Sequence, residues 1–301
     1  MASQKDVKNR ISSVKNIQKI TRAMEMVAAA RLRRAEQRIE ALRPYASAIR
    51  RMTRQAAEAA GNVPNLPILN EHDSVDTVGL LLVTGDRGLA GAFNSQIVRA
   101  GVRVAAELEG EGRSLAWYAS GRRGTSSLQF RGREVVGSYT GFTDRPAYGD
   151  ARDIAQDLMT AYADGKVDQV EIIYNHYISP LTQRVTRETL LPLQQATILE
   201  SEDEESEDGE KDEGKRALVE YEPDPDDILQ RLIPAYVEIS IFRALLESTA
   251  SEHGARMTAM RNASQNAGDI IKDLTLQMNR ERQAEITQEI LEVVAGAEGL
   301  G

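Results

Sequence analysis

Toward the C-terminal end of the chain, apolar and small residues recur at alternating spacings of four and three: Leu246, Ala250, His253, Met257, Met260, Ser264, Ala267, Ile271, Leu274 and Met278. That alternation is a heptad seam, and it predicts one long helix, from about Ile228 to Val294, lying along a partner helix. Small seam residues permit close approach, and Met adapts to irregular contacts. Pro234 is the only proline after Asp227, and Gly254 and Gly268 are the only glycines before the tail. At 1.5 Å per residue such a rod spans about 100 Å, more than a compact domain of this size can bury. Much of it is therefore expected to serve other polypeptides.

A second stripe runs through residues 3–43, which contain neither Gly nor Pro: Val7, Ile11, Val14, Ile17, Ile20, Met24, Ala28, Leu32, Ala35, Ile39 and Leu42. Spacings of three and four mark an amphipathic helix. Ser3, with Asp6 three residues on, forms a capping-box-like start. Pro44 is expected to bend this helix rather than end it, because Ala46, Ile49, Met52 and Ala56 continue the stripe; Gly61, Pro64 and Pro67 end it. The natural mate of this rod is the C-terminal one, running antiparallel. Their lengths are unequal, so one must project past the other.

Between the rods the period changes. Residues 75–84, 113–120, 134–139, 167–177 and 183–193 read as strands. Residues 95–109, 121–130 and 146–163 supply helical stretches between them, the second as a turn and short helix. Alternation of the two predicts a mainly parallel α/β sheet. The fold class is thus α/β: a long antiparallel two-helix coiled coil from both termini (1–60 and 223–301) around a central Rossmann-like α/β domain (70–222). Within that domain, residues 200–214 hold ten Asp and Glu against one Lys, which predicts a solvated loop. Residues 217–221 are placed back at the sheet edge, and Glu222-Pro223-Asp224 opens the last helix.

Composition narrows the chemistry. The chain has no Cys and three His, which excludes a disulfide framework, thiolate metal sites and a thiol nucleophile. Its start lacks the apolar core of a secretory signal, and its longest apolar run is too short to span a bilayer. Net charge is -9, yet residues 1–58 carry 14 Lys and Arg against five Asp and Glu. A basic arm needs an acidic partner: nucleic acid, anionic lipid or an acidic protein surface. Gly85, Gly88 and Gly91 follow a strand and precede a helix, as in phosphate sites. Their spacing is GxxGxxG, however, and no Lys-Ser/Thr follows, so turn conformation accounts for them. His72, His176 and His253 are scattered. No constellation of an active site is present in the sequence.

The two ends of the chain also carry a resemblance. Residues 17–30, IQKITRAMEMVAAA, followed by Arg43-Pro44-Tyr45, resemble the N-terminal helix of the γ subunits of rotary F-type ATP synthases. Residues 251–260, SEHGARMTAM, then Asn262-Ala263, and above all residues 282–289, RQAEITQE, resemble the C-terminal helix of those subunits. TGDRGLAG at 84–91 is similar to the family's first strand-to-helix turn. The acidic insert departs in length, and Ala90 stands where some members carry Cys.

The resemblance implies a central stalk. Its terminal helices would form a left-handed coiled coil inside a ring of three α and three β subunits, and its α/β domain would touch the ε subunit and the c-subunit ring. Proton flow would turn it, driving ATP synthesis on the ring, with no catalytic, cofactor or metal site in this chain. By resemblance, Arg282, Gln283 and Thr287 lie where members grip loops of β subunits, with Arg256 assisting. Met24 lies where the rod passes an acidic β-subunit loop, among Arg22, Arg31, Arg33 and Arg34. Ile290, Leu291, Val293 and Val294 suit an apolar bearing. The complex would place this chain peripherally on the cytoplasmic face of a bacterial plasma membrane. The rival readings are a nucleic-acid-binding coiled coil, which the few aromatics and the acidic remainder disfavour, and a nucleotide-dependent enzyme in the α/β domain.

Overall fold

A computed structural model describes residues 4–60, 67–193 and 225–298; the Ser3 cap, the acidic stretch 200–214 and the expected return at 217–221 lie outside them. Helix α1 (Gln4–Ala60) runs through Pro44 without a break. It is followed by strand β1 (Thr77–Val83), helix α2 (Phe93–Gly110), strand β2 (Ser114–Ser120), helix α3 (Arg122–Phe130), strand β3 (Val135–Tyr139), helix α4 (Tyr148–Ala163), strand β4 (Gln169–Tyr177), strand β5 (Gln183–Leu191) and helix α5 (Pro225–Glu298). Among the described residues no helix is long and apolar enough to cross a membrane.

The sheet order is β3-β2-β1-β4-β5. Strands β1 to β4 pair in parallel, and β5 returns antiparallel to β4. Strand β1 lies at the centre because its sequence, TVGLLLV, is apolar on both faces. Val78, Leu80 and Leu82 meet Ile97, Val104 and Leu108 of α2 on one face. Leu81 and Val83 meet Ile154, Leu158 and Tyr162 of α4 on the other. Leu229, Ile233, Val237, Ile241 and Leu245 of α5 share that second core. The first third of the C-terminal rod is thus also a layer of the sheet domain, and the heptad seam begins as that packing ends.

The rods pair antiparallel. Val7 and Ile11 pack with Leu274, Leu32 and Ala35 with Ala250, and Ala46 and Ile49 with Ile239. On α5 each seam residue from Leu246 to Met278 is buried or half-buried. On α1 the stripe differs from the sequence expectation between Val14 and Ala28. Gln18, Thr21 and Glu25 occupy the seam, while Ile17 and Ile20 are 53% and 58% exposed. The strict four-three repeat continues unbroken down the helix, and geometry overrides hydrophobicity where the two conflict. The polar seam residues are satisfied locally: Gln18 Nε2 donates to Ser264 O at 3.2 Å, and Glu25 pairs with Arg261 at 2.9 Å.

Candidate functional site

Helix α5 has 74 residues and is about 110 Å long, against 57 residues and about 85 Å for α1. Its partnered length ends near Glu281. From Arg282 to Ala295 every position is exposed, so the last turns stand as a single helix beyond the start of α1. Arg282, Gln283 and Thr287 lie on this overhang, with Thr287 Oγ1 donating to Gln283 O at 2.8 Å. Ile290, Leu291, Val293 and Val294 lie beyond them, all large, apolar and bare. Lower down, Met24 is half-buried beside the seam. It flanks an exposed stripe of Ile17, Ile20 and Val27, one face of α1 not used by the coil.

Two residues differ in character from their expected setting. Arg256 is turned inward and buried, bound to Glu252 and donating to Gly88 O at 3.3 Å. Arg31 is occupied by Asp144 of the same chain. That leaves Arg22, Arg33 and Arg34 as the exposed arginines around Met24.

The carboxyl edge of the sheet, where α/β proteins hold ligands, is filled from within. The first-turn amides of α3 would suit an anion. Arg122 N instead donates to Asp86 Oδ1 at 3.0 Å, Arg123 N to Gly85 O at 3.1 Å and Gly124 N to Thr84 Oγ1 at 2.8 Å. Gly121, with φ +94, is needed here because a Cβ would lie 2.1 Å from Thr84 O. Burial raises the pKa of Asp86, but the amides of Arg122, Thr143 and Gly141 and the Thr143 hydroxyl outweigh it, so the carboxylate is held below its ordinary range. The Glu252 carboxylate presses on Gly85, where an added Cβ would come within 2.7 Å of it. The recess that remains is about 240 Å³ and is walled by Asp86, Asp144 and Glu252 as well as Arg87 and Arg122. Two of these acids are already paired, Asp144 with Arg31 and Glu252 with Arg256, and the recess is smaller than the usual ligand pocket. The contact of Glu252 with Gly85, from a residue more than 160 positions away, had no sequence signal.

Each histidine meets a carboxylate distant in sequence, a pairing that no local motif signals. His72 Nδ1 is 2.7 Å from Asp168 Oδ1, His176 Nδ1 is 2.6 Å from Glu247 Oε2, and His253 Nε2 is 3.7 Å from Asp144 Oδ1. Each of the three pairs ties one segment of the fold to another. Among the described residues no cluster of His, Asp and Glu is arranged to hold a metal ion.

A rod with a bare apolar tip and a sheet domain with its ligand edge filled has the form of a mechanical part. Comparison with known proteins agrees. The model of the family described as ATP synthase matches residues 3–300. The ATP synthase gamma chain of Streptomyces avermitilis is 43% identical over 97% of this chain and 94% of its own length. That of Moorella thermoacetica is 43% identical over the whole of both. The chain belongs to the ATP synthase gamma-chain family. Among solved structures, the central stalk and c-ring of Tetrahymena thermophila mitochondrial ATP synthase contains a chain with 26% identity and a TM-score of 0.60, covering 81% of this chain and 99% of that one. A chain of the Euglena gracilis mitochondrial ATP synthase has a TM-score of 0.67 at 15% identity, covering 99% and 94% respectively, and supports the fold alone. Within the family this chain is the central rotor shaft, coupling proton flow through the membrane rotor to ATP synthesis and hydrolysis by rotation.

Proposed function

We propose that the shaft acts on its ring through two kinds of surface on the overhang of α5. Arg282, Gln283 and Thr287 give directional polar contacts to loops of the β subunits and so transmit push. Ile290, Leu291, Val293 and Val294 turn within an apolar sleeve of the α and β subunits. Apolar contact is non-directional, so successive rotary positions differ little in free energy and the tip does not stick. The observation that carries this reading is the bare end itself. Four large apolar residues on an unpartnered helix are costly to leave in water and are matched by a sleeve. Met24 and the stripe Ile17, Ile20 and Val27 meet the β subunits lower down, where Arg22, Arg33 and Arg34 steer toward acidic loops. Exposed pairs of that kind are worth under about 1 kcal/mol each, which spreads force without anchoring the rotor. Arg256 assists from inside, by fixing the loop at Gly88.

The shaft comprises residues 1–60 and 223–301, and the α/β domain, 70–222, forms the foot that meets the ε subunit and the c-ring. The chain holds no nucleotide, metal or catalytic site of its own; those belong to the ring. As part of the complex it lies peripherally on the cytoplasmic face of a bacterial plasma membrane. The test is an assembled complex with the ring fixed to a surface and a bead on the α/β domain. The bead turns when ATP is added. A bead that stays still in a complex shown to be assembled overturns the reading.

A further inference from the structure

Helix α5 is embedded in the sheet domain by its apolar first third, whereas among the described residues α1 contributes only Ala56 to that core. On two further turns, Arg31 to Arg38, α1 meets the sheet domain through a set of polar contacts. Arg31 donates to Asp144 and Arg38 to Pro146 O, both in the loop between β3 and α4. Glu36 accepts from Tyr177 Oη at the end of β4. Tyr177 also packs on Leu32 and Ala35 of α1 and Ala250 of α5.

The same two loops grip α5 at the same height. Thr249 Oγ1 donates to Thr143 O at 3.0 Å, and His253 faces Asp144. On the other side, Ser251 Oγ donates to Asn175 O at 3.1 Å and His176 meets Glu247. The turn between β4 and β5 closes on Gly254, where an added Cβ would lie 2.9 Å from Pro180 O. The loop at 143–146 and the end of β4 with its following turn, 175–180, therefore stand on opposite sides of the rod, and each touches both helices.

We propose that these two loops form a collar that locks α1 as well as α5 to the sheet domain, so that torque is shared by both strands of the shaft. An apolar seam resists separation of two helices but is non-directional and resists rolling weakly. Hydrogen bonds and ion pairs with defined angles resist rolling. Without the collar, torque entering the foot would pass up α5 alone and wind it around α1. Arg31, Asp144, Glu36, Arg38 and Tyr177 are positioning residues in this sense. Arg31 and Asp144 are each more than a third exposed, so their contribution to stability is small while their contribution to stiffness is not.

The proposal rests on the rotor reading, and one experiment separates the two. The chain has no cysteine, so Phe130→Cys, at a position 91% exposed on the sheet domain, gives a single handle for a bead. In the assembled complex without nucleotide, the bead's angular fluctuation reports torsional stiffness. Arg31→Ala, Asp144→Ala and Tyr177→Phe are each expected to widen its variance, and the combined Asp144→Ala, Tyr177→Phe variant by at least about twofold. Arg31→Lys, which keeps the charge, restores most of the stiffness lost in Arg31→Ala. Tyr177→Phe removes only a hydroxyl and keeps the packing, so it remains informative if other variants fail to assemble. Unchanged variance in Tyr177→Phe and Asp144→Ala, with beads that still turn on ATP, overturns the collar and leaves the rotor intact. A bead that does not turn even with the otherwise unaltered chain overturns the rotor reading instead.

Discussion

His253 is 1% exposed, and burial lowers its pKa, as does Arg256 beside it; Asp144 raises it only in part, and the balance holds it at about 4. In the unfolded chain the imidazole titrates near 6.5. The folded pKa is depressed, so the unfolded state binds the extra proton as pH falls between these values. The stability this neutral ring contributes is present above about pH 6.5 and lost as pH falls through 4, with an upper bound on the order of 3 kcal/mol. Urea unfolding at pH 7 and pH 4.5 should show the loss, and His253→Gln should flatten it. Asp86 and Asp168, both held below the ordinary carboxylate range, act in a separate and more acidic window. Gln283 belongs to the opposite class of residue. Its side chain is exposed and its backbone oxygen, not its amide, receives Thr287. Gln283→Leu should leave thermal stability within about 0.5 kcal/mol and lower assembly or torque; a drop in stability alone refutes the gripping role. At this scale the sequence was only partly informative. Gln283 and Thr287 are singled out by resemblance alone, and the partners of all three histidines were set by tertiary approach.

At the scale of elements, periodicity served well where one force acts and failed where two compete. The seam of α5 from Leu246 to Met278 was legible because each of its positions meets α1 or the sheet domain. The stripe of α1 was misread between Val14 and Ala28, since Ile17 and Ile20 satisfy a helical spacing while lying one position off the repeat. Two apolar surfaces, one for the coil and one outside it, sum to a single wide stripe in sequence. Ile17→Gln with Ile20→Gln should therefore cost the isolated chain no more than about 0.5 kcal/mol per site, measured by thermal melting, while assembly with the ring subunits weakens. A loss of several kcal/mol would place these residues in the coil after all. The strands and helices of the sheet domain were legible to within a few residues, because β1 is a nearly continuous apolar run and the helices between strands carry a different period. That α5 covers the sheet before it becomes a shaft was not legible: an apolar face from Leu229 to Leu245 reads alike against either neighbour.

The whole molecule joins a filled sheet edge to an open rod end. Its strand order and the antiparallel return of β5 depend on contacts between distant segments, and local patterning gave only the parallel tendency. The pairing of the termini was legible because both ends carry long stripes, longer than the domain between them could cover. For the isolated chain, calorimetry with ATP should register no binding heat; a measurable affinity would show that the plug at Gly85 yields. The seating of Asp86 and Glu252 in that cradle has a consequence for the living cell. Adenylates there are abundant and their levels rise and fall with nutrition. A transmission member that bound them would stiffen or soften with energy charge, and its mechanics would drift with the product it helps to make. If calorimetry finds no heat, the acids built into the cradle are what leave the part indifferent to its own output.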